Sequence, residues 1–271
     1  MMIFFIISCF FVGVFVGSFI NILIANFIEE KFSIFKLHSH CLKCQKIVFW
    51  NKNIIFFLFS GGKCDNCKNE ILKFYFIIEF FFGSIAVILY YKHGISLISL
   101  QYFLFCTILI LLAFIDLKTW SIPLCLPIIL IINGLVFGFF CNSKQISYCY
   151  QTSFFSRLIG VILGFAFFSI VLIITTFLFR KIGRIKLDET AMGWGDPFVL
   201  AGIGAFLGFR LLPIVVFLSS FQGILAYILL RILRIKHNLY KNNNNFLPPN
   251  ESLPFVPFLA LGALEVLFFF I

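Results

Sequence analysis

The sequence predicts an all-α polytopic membrane protein, with about eight transmembrane helices and a small cytoplasmic insert between the first and second. Three observations carry this. The 271 residues are 62% hydrophobic and 12% charged, where a soluble domain carries about 25% charged residues. The apolar residues fall in runs of about 20, the length that crosses a bilayer. The segments between those runs alternate sharply in basic charge. The 42 Phe alone outnumber all Lys, Arg, Asp and Glu together. Disorder is excluded, because it requires low hydrophobicity. A secreted disulfide scaffold is excluded too, because nine Cys are sparse over this length.

The runs cover residues 1–28, 75–91, 94–115, 121–140, 158–179, 191–209, 211–230 and 253–271. The second is short and the sixth rich in Gly, so these are the weakest spans. The first is expected to be retained, since it lacks a basic n-region and its apolar stretch exceeds that of a cleavable signal peptide. Lysines crowd residues 29–74, Lys118 follows the third run, Arg180, Lys181, Arg184 and Lys186 the fifth, and Arg231, Arg234, Lys236 and Lys241 the seventh. Only Lys92, Lys144, Arg157 and Arg210 fall on the other side. The positive-inside rule makes the first group cytoplasmic and turns both termini outward. The net charge of +10 thereby reads as topology, and no nucleic-acid partner is expected. The organisation expected is a first helix at 1–28, a cytoplasmic insert at 29–74 and a membrane domain at 75–271. The Asn- and Pro-rich stretch at 231–252 reads as a cytoplasmic loop.

The insert contains Cys41-Leu-Lys-Cys44 and Cys64-Asp-Asn-Cys67. Two such knuckles at this spacing are the pattern of a four-thiolate zinc site. Four thiolates close a tetrahedral shell, so the metal is structural rather than hydrolytic. A loop of this size has little core of its own, and metal binding supplies folding energy. Paired disulfides are the alternative, disfavoured by a reducing cytoplasm. His38 and His40 read as polar loop residues beside a filled shell. Cys9, Cys106 and Cys125 lie in spans as small apolar residues. Cys141 and Cys149 share an outer loop and are close enough in sequence to pair.

Acids inside spans are costly and usually functional. Four qualify: Glu79, Asp116, Asp196 and Glu265. Asp116 ends the third span and Asp196 begins the sixth, which puts both at the cytoplasmic depth. Two aspartates around one water cannot both ionise cheaply. The ionised one can take a proton from the water while the protonated one polarises a scissile carbonyl. Gly193 and Gly195 permit close backbone approach beside Asp196. Gly204 and Gly208 form a GxxxG suited to helix packing in lipid. Plainer readings stand beside this. Asp196 before Pro197 has the look of a helix N-cap. Asp116 can pair with Lys118, Glu79 with Lys73, and Glu265 reads as a bundle-interior contact.

Taken in order, these stretches resemble the type IV prepilin leader peptidases, GxGD-type intramembrane aspartic proteases that also act as N-methyltransferases. Gly17-Ser-Phe-Ile-Asn21 is similar to the family's GSFLN. The Cys knuckles follow, with Asn53-Ile between them and Tyr75 through Glu79 behind. Asp116 to Pro123 resembles D-x5-I-P, Gly193 to Asp196 resembles GxGD, and Pro254 to Gly262 resembles PFGPFLALG. The resemblance implies a multi-pass protein of the bacterial inner membrane. Its substrates would be prepilins and pseudopilins with a basic leader and a hydrophobic N-terminal helix. It would cleave the leader at the cytoplasmic face and methylate the new N-terminus with S-adenosylmethionine. It implies that Asp116 and Asp196 are catalytic, with Gly193, Gly195 and Glu79 supporting the site. It also implies that Cys41, Cys44, Cys64 and Cys67 hold zinc and support methyl transfer. No Gly-rich loop for S-adenosylmethionine is recognisable.

The chain departs from the family pattern in four places. Pro197-Phe198 stands where Val-Lys is usual, and Leu124 where an acid often follows I-P. An Arg usual after GSFLN is absent near Asn26, and Val256 replaces a Gly of the C-terminal motif. None removes a carboxylate of the pair. Two other functions fit the composition. One is a peptidase without methyl transfer. The other is a polytopic transporter whose acids carry ions and whose loop is held by zinc.

Overall fold

The computed structural model describes residues 2–28, 39–40, 47–48, 73–143, 153–183, 190, 193–238 and 253–270. Its helices are α1 (Met2–Ile28), α2 (Lys73–His93), α3 (Leu97–Thr119), α4 (Cys125–Ser143), α5 (Phe154–Lys181), α6 (Gly195–Leu207), α7 (Leu212–Asn238) and α8 (Val256–Phe270). Each predicted run overlaps one of them. Five are long and apolar enough to cross a membrane: α1, α2, α3, α5 and α7. The shorter apolar helices are α4, α6 and α8. This is the architecture of a polytopic membrane protein, whose outward Phe, Ile and Leu side chains suit a lipid solvent.

Three features differ from the sequence expectation. Two short strands, β1 (Ser39–His40) and β2 (Ile47–Val48), pair antiparallel, with Ser39 opposite Val48 and His40 opposite Ile47. The stretch expected as a loop from residue 231 is helical as far as Asn238, because the apolar period of α7 continues through Ile232 and Ile235. The third span begins at Leu97 rather than residue 94. Gly94 takes φ 65° and its N–H closes α2 on Tyr90 O at 2.8 Å. Ser96 and Ser99 then cap the start of α3 reciprocally, at 3.1 and 3.3 Å.

The chain divides into two compact units, Met1–Thr107 and Ile108–Ile271. In the first, α1 and α2 pack closely because glycines remove the side chains between them. A methyl on Gly13 would lie 2.5 Å from the Phe82 carbonyl oxygen, and one on Gly83 would lie 2.6 Å from the Phe10 ring. Phe82, fully buried, meets Phe103 edge to face at 6.2 Å.

In the second unit α6 is the centre, with Phe198 its one incompletely buried residue. Glycine again sets the spacing. A methyl on Gly160 would lie 2.5 Å from the Gly204 carbonyl oxygen, and one on Gly164 would lie 2.8 Å from that of Leu200. The motif that seats α5 on α6 is therefore Gly160-x3-Gly164, with Gly204 facing it. The expected Gly204-x3-Gly208 contributes differently, since Gly208 takes φ 75° and ends α6. At 13 residues α6 is about 20 Å long, short of the hydrocarbon thickness of about 30 Å. Neighbouring helices, rather than lipid, surround it.

Candidate functional site

Asp116 lies in the last turn of α3 and is 6% exposed. The helix stops just beyond it. Trp120 N–H closes on the Asp116 carbonyl at 3.0 Å, and Trp120 adopts φ 54°. That left-handed residue is uncommon for a bulky side chain and turns the chain sharply toward Ile122 and Pro123. The Asp116 Oδ2 oxygen accepts the backbone N–H of Val256, the first residue of α8, at 3.2 Å. A helix N-terminus presents N–H groups without partners, and here a carboxylate supplies one. The Pro254–Gly262 stretch therefore has a local role that sequence reading missed: it delivers a donor to Asp116.

Asp196 is the second residue of α6 and is also 6% exposed. Trp194 occupies the N-cap position without a side-chain cap bond, so the N-cap reading of Asp196 is replaced by a first-turn position. A carboxylate there faces the positive end of the helix dipole. Pro197 sits in the same turn, where the N–H it lacks is not needed. Phe198 meets Phe165 of α5 edge to face at 5.0 Å.

Asp116 and Asp196 lie on different helices within one unit, and the carboxylate of Asp196 feels the charge of Asp116. Close packing behind them fixes this. A methyl on Gly195 would lie 2.7 Å from both Cβ and Cδ1 of Ile122, so the start of α6 rests directly on the turn that follows Asp116. That explains Gly195. Gly193 differs: a methyl there would come no closer than 3.8 Å to Asp196 Oδ2, and nothing in the structure explains it.

Glu79 is buried on α2 in the first unit, where a methyl on Gly17 would lie 2.9 Å from its Cα. Asn21 of the same motif is buried on α1. Glu265 is a bundle contact, as expected, and accepts Gln222 Nε2–H at 2.7 Å. Cys9 and Cys106 lie within α1 and α3 with free thiols, and Cys125 begins α4. Cys41, Cys44, Cys64, Cys67 and Cys149 lie outside the described residues, as does the Cys141 side chain. Among the described residues no group of His, Cys, Asp and Glu is arranged to hold a metal.

A helical membrane bundle with two buried aspartates at one helix junction is the class that fold and site define. Two family profiles match the chain. Residues 11–93 match the bacterial Peptidase A24 N-terminal domain and residues 103–228 the type IV leader peptidase family. The chain belongs to the type IV leader peptidase family. Among curated proteins it is similar to a prepilin leader peptidase/N-methyltransferase of Neisseria gonorrhoeae, 28% identical over 83% of this chain and 73% of that protein. A protein of the same description from Myxococcus xanthus is 26% identical over 90% of this chain and 69% of its own length. One from Stutzerimonas stutzeri is 27% identical over 92% and 86%. No solved structure matches the chain.

Proposed function

We propose that this protein removes the leader peptides of type IV prepilins and pseudopilins at the cytoplasmic face of the bacterial inner membrane. It then N-methylates the newly exposed residue. The observation that carries the peptidase reading is that Asp116 and Asp196 are both buried beside the junction where Gly195 rests on Ile122. The curated relatives' description as leader peptidase/N-methyltransferase supports both activities.

The chemistry follows from two carboxyls sharing one proton. The ionised carboxylate takes a proton from a water held between the pair, and the water oxygen bonds to the scissile carbonyl carbon. The protonated carboxyl gives its proton to the carbonyl oxygen, forming a gem-diol. Collapse breaks the C–N bond. As it does, one gem-diol hydroxyl returns its proton to the ionised carboxylate while the protonated carboxyl gives its own to the leaving amine, and the pair again holds one proton. Val256 N–H donates to Asp116 Oδ2, which favours Oδ1 as the oxygen that carries a proton. The site is thereby oriented before substrate arrives, without solvent having to reorganise.

Zinc suits the insert. The donor set is four cysteines in two knuckles, and β1 and β2 bring together the residues flanking the first knuckle, at 41–46. Cys41, Cys44, Cys64 and Cys67 would hold the ion, which would supply folding energy to a segment with little core. S-adenosylmethionine would be the methyl donor. The basic insert and loops place these segments in the cytoplasm.

The test uses the full-length protein in detergent or proteoliposomes with a prepilin encoded beside it. Asp116→Asn and Asp196→Asn should each insert normally and fail to cleave. Cleavage by either variant would sink the peptidase reading. Mass spectrometry of the mature pilin N-terminus, with S-adenosylmethionine supplied, decides methyl transfer. An unmodified terminus would leave a peptidase alone.

A further inference from the structure

Arg157 reads from the sequence as one of four basic residues on the outer side. The structure places it inside the bundle, 1% exposed, in the first turn of α5. Its stem crosses α4 at Gly138, where a methyl would lie 2.5 Å from Arg157 Cδ. Its guanidinium lies 5.2 Å from the centre of the Phe137 ring. One guanidinium nitrogen, Nη1, donates to Gly134 O of α4 at 3.1 Å and to Ala205 O of α6 at 3.5 Å. A buried cation in a membrane bundle is expensive and marks function by default.

What it does is set by where α6 ends. Ala205 O would accept the N–H of residue 209 if α6 continued. Gly208 ends the helix instead, and Phe209 N–H turns to Ser156 O at 3.1 Å. The last carbonyls of a helix have no internal partner, and lipid offers none. Ser156 and Arg157, adjacent on α5, thus complete the C-terminal end of α6 between them. The rest of α6 is held through glycine contacts: Gly160 with Gly204, Gly164 with Leu200, Gly134 with Ala205, and Leu130 with Gly202. Such flat surfaces bring backbones close but interlock weakly along the axis. The directional bonds of Arg157 supply the missing axial constraint. Asp196 stands nine residues earlier on the same helix, about 14 Å along it.

We propose that Arg157 is a positioning residue: it fixes the axial position of α6 and thereby the placement of Asp196 opposite Asp116. The inference rests on the peptidase reading only for its kinetic consequence. The placement itself is read separately, by cross-linking Asp116→Cys to Asp196→Cys with a short bis-methanethiosulfonate, whose sulfinate groups leave as each disulfide forms, in the full-length protein. The linked peptides are identified by mass spectrometry.

In Arg157→Met, cross-linking should fall several-fold in protein that still inserts and elutes as a single species. In the same variant, with both aspartates intact, kcat should fall about 100-fold at little-changed KM, the cost of misplacing a group by about 1 Å. Arg157→Lys, which keeps donors and charge, should recover part of both. Unchanged cross-linking in folded Arg157→Met overturns the proposal, whatever its kcat. If Arg157→Met does not insert, Arg157→Lys and Arg157→Gln carry the test, and native cross-linking in Arg157→Gln overturns it equally. If Asp116→Asn and Asp196→Asn cleave normally, the peptidase reading fails, while cross-linking still decides the role of Arg157.

Discussion

The backbone N–H of Val256 donates to Asp116 Oδ2 at 3.2 Å, joining residues 140 positions apart in sequence. One acid of the pair is thereby tied to the start of α8, while the other is carried by α6. The C-terminal helix is part of the site through its backbone, and side-chain chemistry alone would not reveal this.

Removing that donor tests the bond. Val256→Pro keeps an apolar residue at a helix start, where Pro is tolerated, and deletes only the N–H. A hydrogen bond to a charged group is worth about 1.5–3 kcal/mol, so cleavage should slow by about 10- to 100-fold. Val256→Ala keeps the N–H and should stay within a few-fold of the parent. Single-turnover cleavage of a prepilin measures both.

Gly193 and Gly195 should behave differently. Gly195→Ala places a methyl 2.7 Å from Ile122 and should displace Asp196, with a large loss of kcat. Adding Ile122→Gly removes the clash and should restore part of it. Gly193→Ala meets nothing closer than 3.8 Å and should be nearly silent. Equal loss in both alanine variants would show that the Ile122 contact is not the reason.

Asp116 and Asp196 should be non-additive. If they act as one unit, the double Asn variant should cleave no more slowly than either single variant, at the residual rate set by binding alone. Rate constants that multiply would separate their roles.

Gly160→Ala should loosen α5 from α6. Its methyl would fall 2.5 Å from Gly204 O, and overpacking of this kind costs about 1–3 kcal/mol. A lowered unfolding midpoint in detergent, by intrinsic fluorescence, checks this. Gly223, whose nearest neighbours stand 3.7 Å or more away, should accept Ala with little change.

Replacing Cys41 and Cys64 by Ser should lower metal content from about one zinc per chain, the stoichiometry of a four-thiolate site, to near none. Methylation should be lost with it. Cleavage should persist, because the aspartates lie in the membrane domain. Elemental analysis beside mass spectrometry of the pilin terminus reads both.

Much of this fold was legible because lipid imposes a simple rule: an apolar run must be a helix. All eight runs overlap one. The acid pair was legible because an aspartate in an apolar run has few structural excuses. Three things were not. The N–H of Val256 carries no side-chain signature, so its role depends on where α8 begins. Arg157 has the same letter as an interfacial charge, and only the Gly138 surface opposite makes room for it inside. Gly160-x3-Gly164 has the same spacing as Gly204-x3-Gly208, and which of the two sets both glycines against a neighbouring helix depends on the fold.

The shortness of α6 has a consequence for the cell. A hydrolase set in an energised membrane must let water in at one face without opening a wire for protons to the other. Here the acid stands on the first turn of a helix too short to span, and behind it Gly160, Gly164 and Gly134 bring backbone against backbone while Leu130 covers Gly202. Contacts this close leave no width for a file of water along those faces of α6.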